Sequence, residues 1–207
     1  MPQNGQEYSK MQYWRLCSLS FALASGASVA ALNALECADL SGIIIALNTT
    51  ITSSWYLPAG SNFTGASVES SYNTPQSDLP ELCRVQSTTE TSANSSAIAE
   101  VWLPEDWNGR FLAVGNGGFA GGVNYPDIVW GVRKGFATMS TNTGHDSTQL
   151  DGTWMLDAPE KLIDFGHRAL HLTTVAAKEI VQKFYGTKAA WSYYAGCSTG
   201  EYLLFEG

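Results

Sequence analysis

A glycine-flanked serine at the end of a predicted strand constrains this chain more than any other feature. Residues 196–200 read Gly-Cys-Ser-Thr-Gly and directly follow 191–195, a run typical of a strand. After a strand, the pattern G-x-S-x-G predicts a nucleophile elbow, a tight turn that exposes the hydroxyl of Ser198. The alternative is a chance Gly/Ser turn in a glycine-rich chain. An elbow would make Ser198 the nucleophile of an acyl transfer.

The second half of the chain alternates strands with helices. Strands are predicted at 98–103, 110–115, 136–142 and 191–195, and helices at 126–134 and 160–185. Apolar side chains recur along the long helix at steps of three and four, at Leu162, Phe165, Ala169, Leu172, Ala176, Ile180 and Phe184. This alternation predicts an α/β fold, a parallel sheet with flanking helices and right-handed crossovers.

The first half gives weaker signals. Residues 37–95 are rich in Ser, Thr, Asn and Gly, and short strands are predicted only around 43–47 and 51–57. Lys10 and Arg15 precede a short, serine-interrupted apolar run that ends near a small-x-small pattern at 28–30. We therefore interpret 1–30 as a signal peptide, 31–96 as a loop-rich N-terminal segment and 97–207 as the N-terminal part of the α/β core. A buried N-terminal helix is the alternative for residues 1–30.

Other features agree with secretion. The chain contains N-x-[ST] glycosylation sequons at Asn48, Asn62 and Asn94. A secreted chain is also expected to form disulfides. Cys17 would leave with the signal peptide, and Cys37 and Cys83 are then the easier pair. Cys197 is left over, free or paired between chains, so that a dimer is an open possibility.

The charge balance excludes some partners. The chain has 11 Lys plus Arg, 19 Asp plus Glu and a net charge of −8. Nucleic acids and anionic membranes both attract basic surfaces, so neither is expected as a partner.

A glycine-rich loop supplies the second part of an acyl-transfer site. Residues 116–122 read Asn-Gly-Gly-Phe-Ala-Gly-Gly and follow a predicted strand. Such a loop, together with the residue after the nucleophile, offers N–H groups to a developing oxyanion. We predict the N–H groups of Gly118 and Thr199 as these donors. The alternative, a phosphate-binding loop, lacks the Walker lysine.

The base and the acid of a catalytic triad are not evident. They should follow the serine, but none of the nine residues after Ser198 is His or Asp. His145 follows a strand and is a candidate to line the site. His167 and His171 lie four apart on the long helix and are expected to face solvent or to pack. As a zinc pair they lack a third ligand, so no metal site is predicted.

Taken together, these motifs resemble the tannase and feruloyl esterase family. The resemblance rests on Cys197 directly before Ser198, on the glycine loop, and on the stretches 103–111, 141–145 and 159–171. It implies a partial α/β-hydrolase fold cut off at the elbow, without the lid domain that follows it. It also implies a serine esterase acting on hydroxycinnamoyl or galloyl esters, either small phenolic esters or esters linked to plant polysaccharides.

The same resemblance assigns further parts to sequence beyond the elbow. Cys197 would pair with a cysteine beside the triad histidine, and calcium would bind in the lid. Residues 201–207 depart from the family pattern. We therefore expect no cofactor in this chain and expect the chain as given to be inactive. The alternatives are a non-catalytic secreted fragment that binds phenolic or glycan ligands, and a chain that does not fold stably.

Overall fold

The computed structural model describes residues 36–45 and 48–199. The predicted signal peptide lies outside these residues. The described strands are β1 Ile44–Ile45, β2 Thr49–Leu57, β3 Ser61–Phe63, β4 Gln76–Leu79, β5 Leu82–Ser92, β6 Ser95–Pro104, β7 Arg110–Val114, β8 Ala137–Thr141 and β9 Trp191–Ala195. The helices are α1 Tyr125–Val132, α2 Pro159–Ile163 and α3 Ala169–Tyr185, with short 3₁₀ turns at Ser70–Asn73 and Thr153–Met155 and a π turn at Asp164–Arg168.

Seven strands form one sheet in the order β1-β2-β5-β6-β8-β7-β9. β7 pairs in parallel with β8 on one side and β9 on the other, which confirms the α/β class. β6, however, pairs antiparallel with β8, and β5 pairs antiparallel with both β2 and β6. The sheet is therefore mixed, where the alternation predicted a parallel one. The reason is the tight turn between β5 and β6, which makes the strand predicted at 98–103 the second arm of a hairpin.

The segment predicted as loop-rich supplies long strands instead. β5 has 11 residues, and β6 runs across positions 96 and 97, where the sequence predicts the start of the core. The inward positions of β5 include Ser87, Thr89 and Thr91, which are buried although polar. The hydroxyls of Thr49 and Thr89 lie 2.8 Å apart across the strands. Hydroxyl groups thus fill places that apolar side chains usually take, which hides the period-two pattern.

Helices cover both faces of the sheet. On one face, α3 packs Ile180 and Val181 against Val101 and Met139 of the central strands. On the other face, α1 packs Ile128 together with residues of β6 and β7. Because side chains alternate along a strand, β7 contributes buried side chains to both layers.

The long predicted helix contains an irregular turn. Its residues 164–168 form a π turn between α2 and α3, and Asp164 there is fully buried. The Asp164 carboxylate accepts hydrogen bonds from Thr91, Ser95 and Arg168. A π turn adds one residue to the helical repeat, so the face before it rotates relative to the face after it. Leu162, predicted as core, is therefore 50% exposed, whereas Ala169, Ala176 and Ile180 are buried as predicted.

The predicted disulfide forms between Cys37 and Cys83. Their Cα atoms lie 5.6 Å apart, and the bond ties the segment before β1 to β5. Cys197 is exposed and forms no disulfide with another cysteine of the described residues.

A buried carboxylate organises the α1 face of the sheet. Glu100 on β6 is 1% exposed. It accepts from two nitrogens of the Arg84 guanidinium, Nε at 2.7 Å and Nη2 at 2.5 Å, from the Trp102 indole at 2.8 Å and from the Tyr125 hydroxyl at 2.9 Å. Burial, and then the Glu100 charge, raise the pKa of Tyr125, so this phenol remains a donor.

Candidate active site

The serine of the predicted elbow has an unusual backbone. β9 ends at Ala195, and Ser198 follows with a φ of +57°, in the left-handed region that L residues seldom adopt. The side chain is exposed. A sharp turn after a strand with this dihedral angle is the conformation that a nucleophile elbow requires.

The glycine-rich loop leaves the sheet beside the elbow. β7 and β9 are neighbouring parallel strands with Val114 opposite Ala195. The Gly115 N–H donates to the Ala195 carbonyl at 3.0 Å, which extends this pairing into the two loops. Both loops therefore emerge at the carboxyl ends of the strands, the edge where open α/β sheets bind ligands.

A cleft of about 430 Å³ opens at this edge. Its walls come from the ends of β7 and β9, the turn at Ser70–Asn73, the start of α1 and the loop before α2. The lining residues are Tyr72, Val114, Gly115, Asn116, Gly117, Asn124, Asp127, Trp130, Gln149, Ala195, Gly196 and Cys197. The cleft thus borders the predicted elbow through Gly196 and Cys197, but Ser198, Thr199 and Gly118 are not among its lining residues.

The glycine loop places Gly117 rather than Gly118 on the cleft wall. Gly118 has a φ of +58°, and a Cβ there would lie 2.6 Å from the Gln149 carbonyl oxygen, so only glycine fits. Gly117 donates its N–H to the Tyr72 hydroxyl oxygen at 2.8 Å. The Gly117 N–H is therefore already hydrogen-bonded in this conformation. The N–H groups of Gly118 and Thr199 remain the predicted donors to the oxyanion.

Two cleft residues were not predicted from the sequence. Tyr72 is 5% exposed, and its pKa is raised, above all by burial, so that it keeps its proton. Asn116 is 6% exposed, and its amide nitrogen donates to the carbonyls of Ala120 and Thr141, each at 3.2 Å. Its Oδ1 is buried without a hydrogen-bond partner among the described residues. The sequence signal for Asn116 was its place at the head of the glycine loop, whereas Tyr72 had none.

The start of α1 adds a carboxylate and an indole to the cleft. Asn124 caps the helix, and its amide nitrogen donates to Asp127 at 2.8 Å. Burial raises the pKa of Asp127. Trp130 borders the cleft with 52% of its surface exposed. The cleft therefore combines an aromatic plane with polar groups and one acidic group.

The histidines lie elsewhere. His145 was a candidate to line the site, but it is 3% exposed and is not among the cleft residues. Its Nε2 donates to the Phe119 carbonyl at 2.9 Å, and its ring stacks on Trp154 at 3.6 Å. Burial lowers the pKa of His145. His167 and His171 are exposed.

The remaining predicted sites stay predictions. Asn48, Asn62 and Asn94 are all exposed, as carriers of glycans must be. Residues 36–45 and 48–199 contain no group of three or more His, Cys, Asp or Glu side chains that could hold a metal, so the calcium implied by the resemblance has no ligand set there. Within the same part of the chain, no helix has the length and apolar character to span a bilayer.

Comparison with known proteins gives consistent matches. The family model described as "Tannase and feruloyl esterase" matches residues 83–202. Feruloyl esterase B of Aspergillus niger is 40% identical over 184 residues, 88% of this chain and 35% of that protein. A probable feruloyl esterase B-2 of Aspergillus flavus is 40% identical over 184 residues, 88% of this chain and 34% of that protein. The chain thus spans about a third of the length of these relatives.

Solved structures agree with the fold. The crystal structure of feruloyl esterase B from Aspergillus oryzae matches with a TM-score of 0.72 and 37% identity, covering 81% of this chain and 32% of that one. Tannin acyl hydrolase from Aspergillus niger matches with a TM-score of 0.56 and 24% identity, covering 81% and 32%. The second likeness supports the fold alone.

Proposed function

Because the chain belongs to the tannase and feruloyl esterase family, we propose that it is part of a carboxylic ester hydrolase with Ser198 as nucleophile. The observation that carries the proposal is the left-handed Ser198 at the end of β9, beside the glycine loop that follows β7. The substrates would be hydroxycinnamoyl or galloyl esters, free or linked to plant polysaccharides. A cleft with an exposed indole and few charges suits such aromatic acyl groups.

The proposed chemistry is acyl transfer in two steps. The Ser198 hydroxyl attacks the ester carbonyl carbon and gives its proton to a base, which forms a tetrahedral oxyanion. The N–H groups of Thr199 and Gly118 would stabilise this oxyanion. The alcohol then leaves with a proton, and water hydrolyses the acyl group from Ser198.

We further propose that the 207-residue polypeptide alone does not turn over substrate. Its three histidines are His145, His167 and His171. His145 is held in an aromatic cluster away from the cleft, and the other two lie on the helical layer at exposed positions. Ser198 therefore has no imidazole base among the described residues.

We also propose that the protein is secreted, glycosylated and disulfide-bonded. The Cys37–Cys83 disulfide supports folding in an oxidising compartment. The exposed sequons would then carry glycans, and Cys197 would form a disulfide with a cysteine outside the described residues.

The nucleophile can be tested without turnover. At about pH 9, hydroxide can replace a missing base, so para-nitrophenyl ferulate should acylate Ser198 slowly. The adjacent Cys197 thiol would also react, and the assay therefore uses a Cys197→Ala background. Mass spectrometry of peptides from acid-quenched samples should show a feruloyl group on Ser198, because para-nitrophenolate leaves much faster than hydroxide removes the acyl group from a serine oxygen.

The controls separate the parts of the proposal. Ser198→Ala should abolish the adduct, whereas Ser192→Ala, at an exposed serine of β9, should leave it unchanged. Absence of a Ser198 adduct contradicts the nucleophile. Ser198-dependent turnover of methyl ferulate or methyl gallate contradicts the expected inactivity of the 207-residue chain.

A further inference from the structure

A buried carboxylate joins the two segments that hold the glycine loop. Glu69 is 8% exposed and caps the 3₁₀ turn at Ser70–Asn73. Its Oε1 accepts the Ser71 N–H at 3.0 Å and the Ser71 hydroxyl at 2.8 Å. Its Oε2 accepts the Gln149 N–H at 3.0 Å, across 80 positions of the chain. Since the cap uses only one carboxylate oxygen, the contact with Gln149 is a separate link between distant segments.

Each of these two segments makes a hydrogen bond to the glycine loop. Tyr72, in the 3₁₀ turn, accepts the Gly117 N–H through its hydroxyl oxygen at 2.8 Å. Gln149 accepts the Phe119 N–H through its backbone carbonyl at 2.9 Å. The same carbonyl oxygen packs so closely against Gly118 that a Cβ at that position would lie only 2.6 Å from it. The loop is therefore held on both sides of Gly118.

The N–H of Gly118 lies between these two hydrogen-bonded groups. Within the part of the chain that the structure describes, it makes no hydrogen bond, whereas the N–H groups of Gly117 and Phe119 are both engaged. A donor that stabilises an oxyanion must be held in place before the reaction and must remain unpaired until charge develops. The two contacts of the loop give Gly118 both properties.

We propose that Glu69 is a positioning residue that sets the conformation of the glycine loop and thereby holds the Gly118 N–H in place for the oxyanion. The inference rests on the proposed acyl transfer at Ser198, and Glu69 itself does not line the cleft. A carboxylate has an acceptor oxygen on each side. A glutamine has only one, so it cannot accept from the N–H groups of both Ser71 and Gln149.

The first measurement is amide hydrogen exchange, followed by NMR on the full 207-residue chain without substrate. Glu69→Ala should speed exchange of the Gln149 and Phe119 N–H groups about tenfold, because the segment loses its hydrogen bond to a charged group. Glu90→Ala, which removes an exposed carboxylate of β5, is the matched control and should change neither rate. An exchange rate at Phe119 that Glu69→Ala leaves unchanged would overturn the inference.

The second measurement separates positioning from a purely structural role. The rate of Ser198 acylation by para-nitrophenyl ferulate is followed against ester concentration in the Cys197→Ala background. Glu69→Ala should lower the maximal rate about tenfold or more, as expected when one oxyanion donor is misplaced. The half-saturating ester concentration should stay the same, because Glu69 does not line the cleft. Faster exchange with an unchanged maximal rate, or a change in the half-saturating concentration alone, would contradict the proposed role.

A second variant decides if Glu69→Ala fails to fold, which a thermal melt would reveal. Glu69→Gln keeps the size of the side chain, and the N–H of either Ser71 or Gln149, but not of both, should exchange about tenfold faster. Unchanged exchange at both positions would argue against the inference. If Ser198 is not acylated even with Glu69 present, the proposed nucleophile is wrong and the exchange rates alone decide on Glu69, so the two proposals fail separately.

Discussion

Among single residues, Glu100 should be the most sensitive to substitution. Its carboxylate is buried and receives hydrogen bonds from Arg84, Trp102 and Tyr125. Glu100→Ala would leave the partly buried guanidinium without its counter-charge, which costs about 3–5 kcal/mol of unfolding free energy. Urea denaturation at neutral pH measures the change. Glu90→Ala, at an exposed position of β5, should shift the free energy by less than about 0.5 kcal/mol. Equal effects of both substitutions would argue against the network.

His145 should make stability depend on pH. Burial lowers the pKa of His145 in the folded chain, so the unfolded chain binds the proton more readily. The stability contributed by the neutral ring is therefore present above the unfolded pKa, about 6.5, and is lost as the pH falls below it. His145→Gln should flatten the fall in unfolding free energy between about pH 7 and pH 5. Gln182→Ala, at an exposed helical position, should leave the slope unchanged, and a slope that His145→Gln does not alter would contradict the assignment.

Only some residues of the candidate site could be predicted from the sequence. A short motif was enough to predict the sharp turn at Ser198 and the glycine loop that follows β7, because both depend on neighbours in the chain. Tyr72 comes from a 3₁₀ turn far away in the chain, and only the folded structure places its hydroxyl on Gly117. The prediction that His145 lines the site was wrong. The sequence shows that His145 follows a strand, but it does not show whether the ring faces the cleft or packs into the interior.

Among the elements, the disulfide should matter most for the outer strands. Cys37 and Cys83 are separated by 46 residues, so the bond restricts a long loop in the unfolded chain. Reduction should lower the unfolding free energy by about 4 kcal/mol on the chain-entropy account. Urea denaturation with and without reductant measures the loss. Cys197→Ala should respond to the reductant in the same way as the unsubstituted chain, and stability unaffected by reductant in both would contradict the prediction.

The sequence predicts a helix or strand well only when its buried side chains are apolar and regularly spaced. α3 was predictable because Ala176 and Ile180 repeat at helical spacing and are buried. β5 was not, because Ser87 and Thr89 occupy its inward positions and look like surface residues in the sequence. The π turn was also hidden, since its stabilising contacts run from Asp164 to the distant Thr91 and Ser95.

At the scale of the whole molecule, the α/β class followed from the order of strands and helices, but the mixed sheet did not. Strand direction depends on which strands become neighbours, and β6 meets β8 only after β7 and α1 have intervened in the chain. The family resemblance supplied what local patterns could not, namely that this order belongs to an α/β-hydrolase type of fold.

The sheet order also has a consequence for the time at which the site forms. β5 and β6 are consecutive in the chain, whereas β9 reaches β7 only after α1, β8, α2 and α3 have intervened. Pairings between distant segments are slow to form, and a polypeptide leaves the ribosome N-terminus first. A nascent chain would thus fold its disulfide-tied antiparallel part early and add β9, the strand that precedes Ser198, last. The proposed nucleophile would be positioned only when the rest of the described sheet is already in place.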